Sequence, residues 1–391
     1  MILAAEKGEH AVRLACGCPS TADLRLGQNY AALPSLEKYL HRLAGCRVSP
    51  FFRVARAPFF FPQTGLAGWF GRAERLQRIS ILAALLGLAL ATGLIGWFGL
   101  DQVLDATLRI GWKGLGLLCL LQVPIFLLLG RAWRQMLPGN VSFWLPVWCR
   151  MVRDAASTCL PFSQIGGLVL GARAATLWGL RWPVAAASTI VDVTCEFLAQ
   201  LIFALLGLSI LLASTSSGTL LIPAVAGVVV AGLAGWGAVW VQRHGVGPIM
   251  RALASRVAAP ALGDGIDCLE MELTQLSANL PALLRGIGWH FLAWMGSGVA
   301  TWLTAHMLGV QLLFIDALAV EGMMHGLVAG AFMVPGLLGV QEAAYVALGS
   351  VFGVPPDIAI GISLVRRARD LLVGVPILLG WQMTEARALR R

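Results

Sequence analysis

Six stretches of this chain are apolar over close to the length a bilayer requires: residues 79–100, 115–130, 184–212, 220–241, 286–308 and 358–381. About 20 helical residues cross roughly 30 Å of hydrocarbon. Within hydrocarbon every backbone N–H and C=O must find an internal partner, which leaves helices or a closed barrel. A barrel alternates apolar and polar residues, whereas these runs are continuous and rich in Leu, Ala and Gly. The expected fold is therefore all-α integral membrane. Composition agrees, at 58% hydrophobic and 13% charged residues, against roughly 45–50% and 25% in ordinary soluble domains.

The net charge of +9 does not point to nucleic acid, because the basic residues sit at the ends of apolar runs and not on a soluble patch. Arg72, Arg75 and Arg78 precede the first run, Arg131 and Arg134 follow the second, and Arg243, Arg251 and Arg256 follow the fourth. The linkers 213–219, 309–311 and 354–357 carry one charge among them. This asymmetry places both termini on the cytoplasmic side. Residues 1–78 form a basic extension expected to be loosely ordered or surface-lying, 79–385 the transmembrane domain and 386–391 a short tail. The eight cysteines show no zinc or disulfide spacing. Between the fourth and fifth runs, Ile266, Leu269, Leu273, Leu276 and Leu280 recur at helical spacing with Asp267, Glu270 and Glu272 off that stripe. That pattern predicts an amphipathic helix packed on the protein, since its acids would repel anionic headgroups.

Two further apolar stretches, 141–179 and 312–353, are broken in the middle, at PFSQIGG from Pro161 and at PGLLGVQE from Pro335. Proline removes a backbone donor and glycine loosens the turn, so each stretch is expected to form a re-entrant pair of half-helices. The first pair begins and ends on the arginine-rich side and the second on the nearly uncharged side. The chain then reads as about six spanning helices plus two re-entrant half-helix hairpins in inverted repeat, 115–212 and 286–381. Counting 31 and 35 residues from each break reaches Asp192 and Glu196 in one half, Arg366 and Asp370 in the other. Interrupted helices at corresponding places in inverted repeats mark a substrate site near the midplane.

Arg366, Arg367, Arg369 and Asp370 lie inside the last apolar run. A charge at mid-bilayer costs roughly 2.5–3.5 kcal/mol, whereas a Leu or Ile returns only about 0.3–0.6. These groups must face the bundle interior, and a cross-repeat ion-pair network with Asp192 and Glu196 is the economical arrangement. It could be a buried lock or part of a hydrated cavity. The surplus of ionisable groups favours the cavity: Arg150, Arg153, Asp154 and Arg173 flank the first break, and Glu321, His325 and Glu342 the second. Glu321 and His325 are one helical turn apart but lack a third ligand, so no metal is expected. His290 and His306, beside Trp289, Trp294 and Trp302, read as interfacial or packing residues. There is no phosphate loop, no G-x-S-x-G elbow and no H-E-x-x-H.

The run PFSQIGGLVLGARAATLWGL, the following VDVTCEF and the later VPGLLGVQEAAYVALG resemble the lysylphosphatidylglycerol synthase transmembrane family, also called flippase-like membrane proteins. The resemblance covers about residues 79–381 and is nearest to the hopanoid-biosynthesis-associated branch, with RRARD as the branch-like feature. Bifunctional members of that family flip aminoacylated phospholipids and carry a soluble transferase domain. Here the sequence runs ten residues beyond Trp381, so synthase chemistry is not implied and only the membrane half carries over. No residues nominate a nucleophile with its base, and neither enzyme activity nor a cofactor is expected. Where related members carry an acid after the first break, this chain has Gly166 and Gly167.

The resemblance implies a multi-pass protein of the bacterial inner membrane that moves a polar lipid, a hopanoid or an anionic lipid, between leaflets. The alternatives are a membrane-embedded lipid-modifying transferase and an accessory scaffold of hopanoid or lipid biosynthesis. Its partners would be a membrane lipid substrate, the bilayer and lipid-biosynthesis proteins. Arg150, Arg153, Arg366 and Arg369 are the expected ligands of an anionic headgroup, and Asp192, Glu196, Glu321 and Asp370 would balance them or relay protons. Asp154, Gly166, Gly167, Arg173 and His325 complete the expected cavity, with Pro335, Gly336, Gly339 and Glu342 shaping the second hairpin.

Overall fold

The structure, a computed structural model, describes residues 108–159, 163–214, 221–256, 263–330 and 339–389. The expected first span, the basic extension, the tail residues 390–391 and both break apices, with Pro161, Pro335 and Gly336, lie outside the described residues. All described residues except Pro138–Val141 belong to one compact unit, and every described helix lies in it. The helices are α1 (Gly111–Arg134), α2 (Trp144–Cys159), α3 (Ser163–Leu177), α4 (Trp182–Ser214), α5 (Leu221–Trp240), α6 (Val246–Arg256) and α7 (Gly263–Ala278). They continue with α8 (Leu280–Met307), α9 (Phe314–Gly330), α10 (Val340–Val351) and α11 (Pro356–Leu389). A π-helical turn, Val241–Gly245, joins α5 to α6.

Two of these helices, α1 and α4, are long and apolar enough to cross a membrane. Helices α8 and α11, of 28 and 34 residues, also exceed the roughly 20 residues needed but are diluted by polar and charged positions. Large apolar side chains stand exposed along the outer faces: Leu120 and Val123 on α1, Leu284 and Leu292 on α8, Leu371, Leu372 and Leu379 on α11. In water such continuous apolar faces would mark interaction surfaces or aggregation sites; they are the kind of face that a membrane protein turns to lipid.

Both interrupted stretches form paired short helices, α2 with α3 and α9 with α10. At 12 to 17 residues and 1.5 Å per residue, each is about 18–26 Å long, short of a full crossing. The first break is tighter than the sequence suggests, because α3 already starts at Ser163. Gly166 and Gly167 are therefore helical. Their smallness serves packing: a Cβ on Gly167 would stand 2.6 Å from the Arg153 carbonyl oxygen on α2. At the second break Gly339 adopts φ 76°, a left-handed conformation that glycine reaches without steric cost, and α10 starts from it.

Two hydrophobic cores share α1 and α8. One gathers Leu118, Ala305, Leu308, Met324, Tyr345, Ile358, Ile362 and Val365 around the second hairpin. The other gathers Phe126, Leu129, Trp133, Val152, Val191, Leu269, Ala293 and Ile377 around the first. Packing between the halves is reciprocal, since α9 lies against α4 and α2 against α11. Glycines allow both approaches: Gly322 faces the Phe203 carbonyl and Gly207, while Gly374 faces Ala155 and Cys159.

The amphipathic helix forms as α7 and docks on α4, with Ile266, Leu269 and Leu273 buried and Arg251 of α6 paired to Glu270 at 2.6 Å. Leu280 does not extend its stripe. The Asn279 side chain accepts from Ala282 N and Pro281 sits in the first turn, so a new helix starts there and Leu280 is exposed. Burial pushes the Glu272 carboxyl above its ordinary value against the opposing pull of Arg181. A raised carboxyl contributes stability that is present below its unfolded value and is lost as pH rises through the folded value. Glu272→Gln is expected to flatten that dependence, read as amide hydrogen exchange in α7 measured between acidic and neutral pH.

Candidate functional site

The first charged cluster ties the first hairpin to α4. Arg150 and Arg153, one turn apart on α2, are 1% and 5% exposed. Arg150 donates from Nη1 and Nη2 to the two carboxylate oxygens of Glu196, at 2.9 and 2.5 Å, and from Nε to Asp154 at 3.0 Å. Arg153 donates to Asp192 at 3.0 Å and also to Glu196. Such bidentate, charge-assisted bonds are the strong class. Asp192 is fully buried and accepts from His290 Nε2 on α8 at 2.9 Å. The cluster thus reaches across to the second half.

The second cluster has the charges exchanged. Its anion, Glu321, lies on the hairpin arm α9, and its cation, Arg366, on the long helix α11. Arg366 Nη1 donates to both Glu321 oxygens, at 2.7 and 2.8 Å, and to Tyr345 Oη at 2.8 Å. Tyr345 also donates to Glu321, as do Thr301 Oγ1 at 2.5 Å and Ser297 Oγ at 3.2 Å from α8. His325 lies within 3.3 Å of Ser297 Oγ and against the Trp294 ring at 4.2 Å. Beside this cluster Glu342 accepts the Gly339 N–H at 2.8 Å, a hydroxyl bond from Ser363 and an ion pair from Arg367 at 2.8 Å. It thereby fixes the start of α10 on α11.

The expected pairing of Arg366 with Asp192 does not occur. Each finds its ion-pair partner within its own half, because the adjoining hairpin arm brings an opposite charge closer: Arg153 for Asp192, Glu321 for Arg366. His290 is no interfacial residue either; it is wholly buried and supplies the cross-half bond. Arg369 pairs with its neighbour Asp370 at 2.6 Å, and Arg173 with Glu385 near the end of α11 at 2.8 Å.

Sequence reasoning passed over Tyr345, Thr301 and Ser297. The signal was a polar stripe along one face of α8, where His290, Ser297, Thr301 and Thr304 recur at intervals of seven, four and three.

The arginines differ in what they have left to offer. All three nitrogens of Arg150 are used. Every hydrogen bond of Arg366 leaves from Nη1, so among the described residues its Nε and Nη2 meet no acceptor. Its side chain is 20% exposed and lies ten residues past Pro356, about 15 Å along the helix axis. The Nε and Nη2 edge of a guanidinium matches the two oxygens of a phosphate or carboxylate. Elsewhere, an apolar cavity of about 440 Å³ opens between α1 and α2, walled by Val123, Phe126, Leu127, Leu145, Trp148 and Met151 with no charged residue. Among the described residues no three His, Cys, Asp or Glu gather to hold a metal ion.

The family model described as "Lysylphosphatidylglycerol synthase TM region" matches residues 84–380. No curated protein and no solved structure matches the chain.

Proposed function

This chain belongs to the family of lysylphosphatidylglycerol synthase transmembrane regions, and from that premise we propose that it is a flippase-like transporter of a polar, anionic membrane lipid. It is a membrane protein whose family links it to lipid. The observation that carries the finer reading is the unshared edge of Arg366, a guanidinium held by Glu321 about a third of the way along α11 with two donor nitrogens to spare. A phosphate or carboxylate headgroup would take that edge while its tails stay in hydrocarbon. The reciprocal packing of α9 on α4 and α2 on α11 supports an inverted repeat of two three-part units, 115–212 and 286–381, rocking about the shared helices α1 and α8. The six-span arrangement, bacterial inner-membrane location, cytoplasmic termini and a hopanoid as cargo go with this proposal.

Liposomes carrying a headgroup-labelled phosphatidylglycerol test it through Arg366→Lys, which keeps the charge opposite Glu321 but loses the planar fork. A hydrogen bond to a charged group is worth about 1.5–3 kcal/mol, so translocation is expected to fall about 10- to 100-fold. A folded Arg366→Lys protein that translocates like its parent would sink the proposal. Product formed from the lipid and an added donor would make the chain a transferase. A parent that moves no lipid would leave the scaffold.

A further inference from the structure

The first cluster contains an unbalanced charge. Two guanidiniums, Arg150 and Arg153, face three carboxylates, Asp154, Asp192 and Glu196. The remaining titratable group in bonding contact is His290, wholly buried. An ionised carboxylate only accepts, so Nε2 of His290 carries the hydrogen toward Asp192. That leaves Nδ1 as the open nitrogen. It is buried, and no protein group among the described residues bonds it.

A neutral His290 therefore holds an unused lone pair beside a cluster one negative charge in excess, and a proton on Nδ1 would cancel that excess. The other charged groups around α8 do not compete for the role. On α9, Glu321 is engaged by Arg366, Thr301 and Tyr345, and on α1 Arg131 lies over the Trp289 ring at 5.3 Å. On α4, Glu196 is taken by Arg150 and Arg153.

Buried ionisable groups inside membrane bundles mark ion and proton pathways, and histidine is the side chain that exchanges its proton near neutrality. We propose that His290 Nδ1 is a proton-binding site of this protein, and that uptake of one proton there is coupled to each lipid translocated. The coupling rests on the transport reading above. Uptake would neutralise the first cluster and loosen the hold of Arg153 on Asp192, one of the contacts that fix the first hairpin to α4.

Two measurements decide it. In vesicles of phosphatidylethanolamine and phosphatidylglycerol with labelled phosphatidylglycerol, a gradient of one pH unit is expected to shift the inside-to-outside ratio of labelled lipid about tenfold, since one pH unit on one proton is about 1.4 kcal/mol. A protonophore should abolish the shift. His290→Gln keeps a donor for Asp192 but cannot take the proton, so it is expected to equilibrate lipid and ignore the gradient. A parent indifferent to the gradient, or a His290→Gln protein still driven by it, overturns the coupling.

The second measurement needs no transport. The ¹⁵N resonances of His290 in the detergent-solubilised parent, assigned by their loss in His290→Gln, are expected to show Nδ1 gaining a proton as pH is varied across the range in which the protein stays folded. An imidazole that stays neutral across that range overturns the proton site. A parent that titrates but moves no lipid overturns the transport reading, and the coupling with it, while the proton site stands.

Discussion

Arg150→Met is expected to lower the stability of the detergent-solubilised protein by about 3–5 kcal/mol, the cost of leaving buried carboxylates without their counter-charge. Arg150 is 1% exposed and serves Glu196 with two bonds and Asp154 with one. Its loss strands Glu196 on Arg153 alone. In thermal unfolding the shift should be on the order of 10 °C. The double variant Arg150→Met with Glu196→Met removes both charges and replaces them with apolar volume. It should recover most of the loss, because a buried ion pair exchanged for packed hydrophobic groups is often neutral. If Arg150→Met alone unfolds within a degree of the parent, the first cluster is solvated and its ion pairs contribute little.

The second large effect concerns the crossing of α4 and α9. A Cβ on Gly322 would stand 2.4 Å from the carbonyl oxygen of Phe203 and 3.2 Å from the Cα of Gly207. Both are backbone atoms and cannot rotate away, so the helices must separate. Overpacking in a well-filled interior costs about 1–3 kcal/mol and occasionally more, and Gly322→Ala is expected at or above the upper end. Gly207→Ala invades the same contact, 2.8 Å from the Ala319 carbonyl. The double variant should therefore cost less than the two singles added together. Gly116→Ala on α1 meets nothing within 4 Å and should stay within about 0.5 kcal/mol. A thermal midpoint for Gly322→Ala equal to that of Gly116→Ala would mean that the two helices do not approach this closely.

Much of the candidate site was legible in the residues. Arg150, Arg153, Asp192, Glu196, Glu321 and Arg366 stand out because charge inside an apolar helix is costly and must be paired. Gly322, Gly326 and Gly330 stand out because small residues at intervals of four give a helix a face for close approach. Gly207 stayed hidden in a long apolar run, since one glycine there has no visible partner until α9 is laid across it. His290 reads in sequence as an interfacial or packing residue because tryptophans surround it; it is buried, and what the sequence did not show is its bond to Asp192. Along the helix its neighbours are Ser297 and Thr301, which turn the same face inward. The pairing of Arg366 with Glu321 was missed because equal distances from the two breaks suggested a match between the long helices, whereas each hairpin arm is nearer.

The sequence by itself determined that this chain is helical, that it belongs in a membrane, where its two long interruptions fall and which residues carry charge into apolar segments. All of these follow from local chemistry: run length against bilayer thickness, backbone groups that must bond internally, and the cost of an ion in hydrocarbon. The tertiary structure decided who meets whom. Helical periodicity fixes the face a side chain occupies and says nothing of the helix that face will meet, so the exchange of charges between the halves, the bond from His290 to Asp192 and the open edge of Arg366 emerged only once the helices were packed.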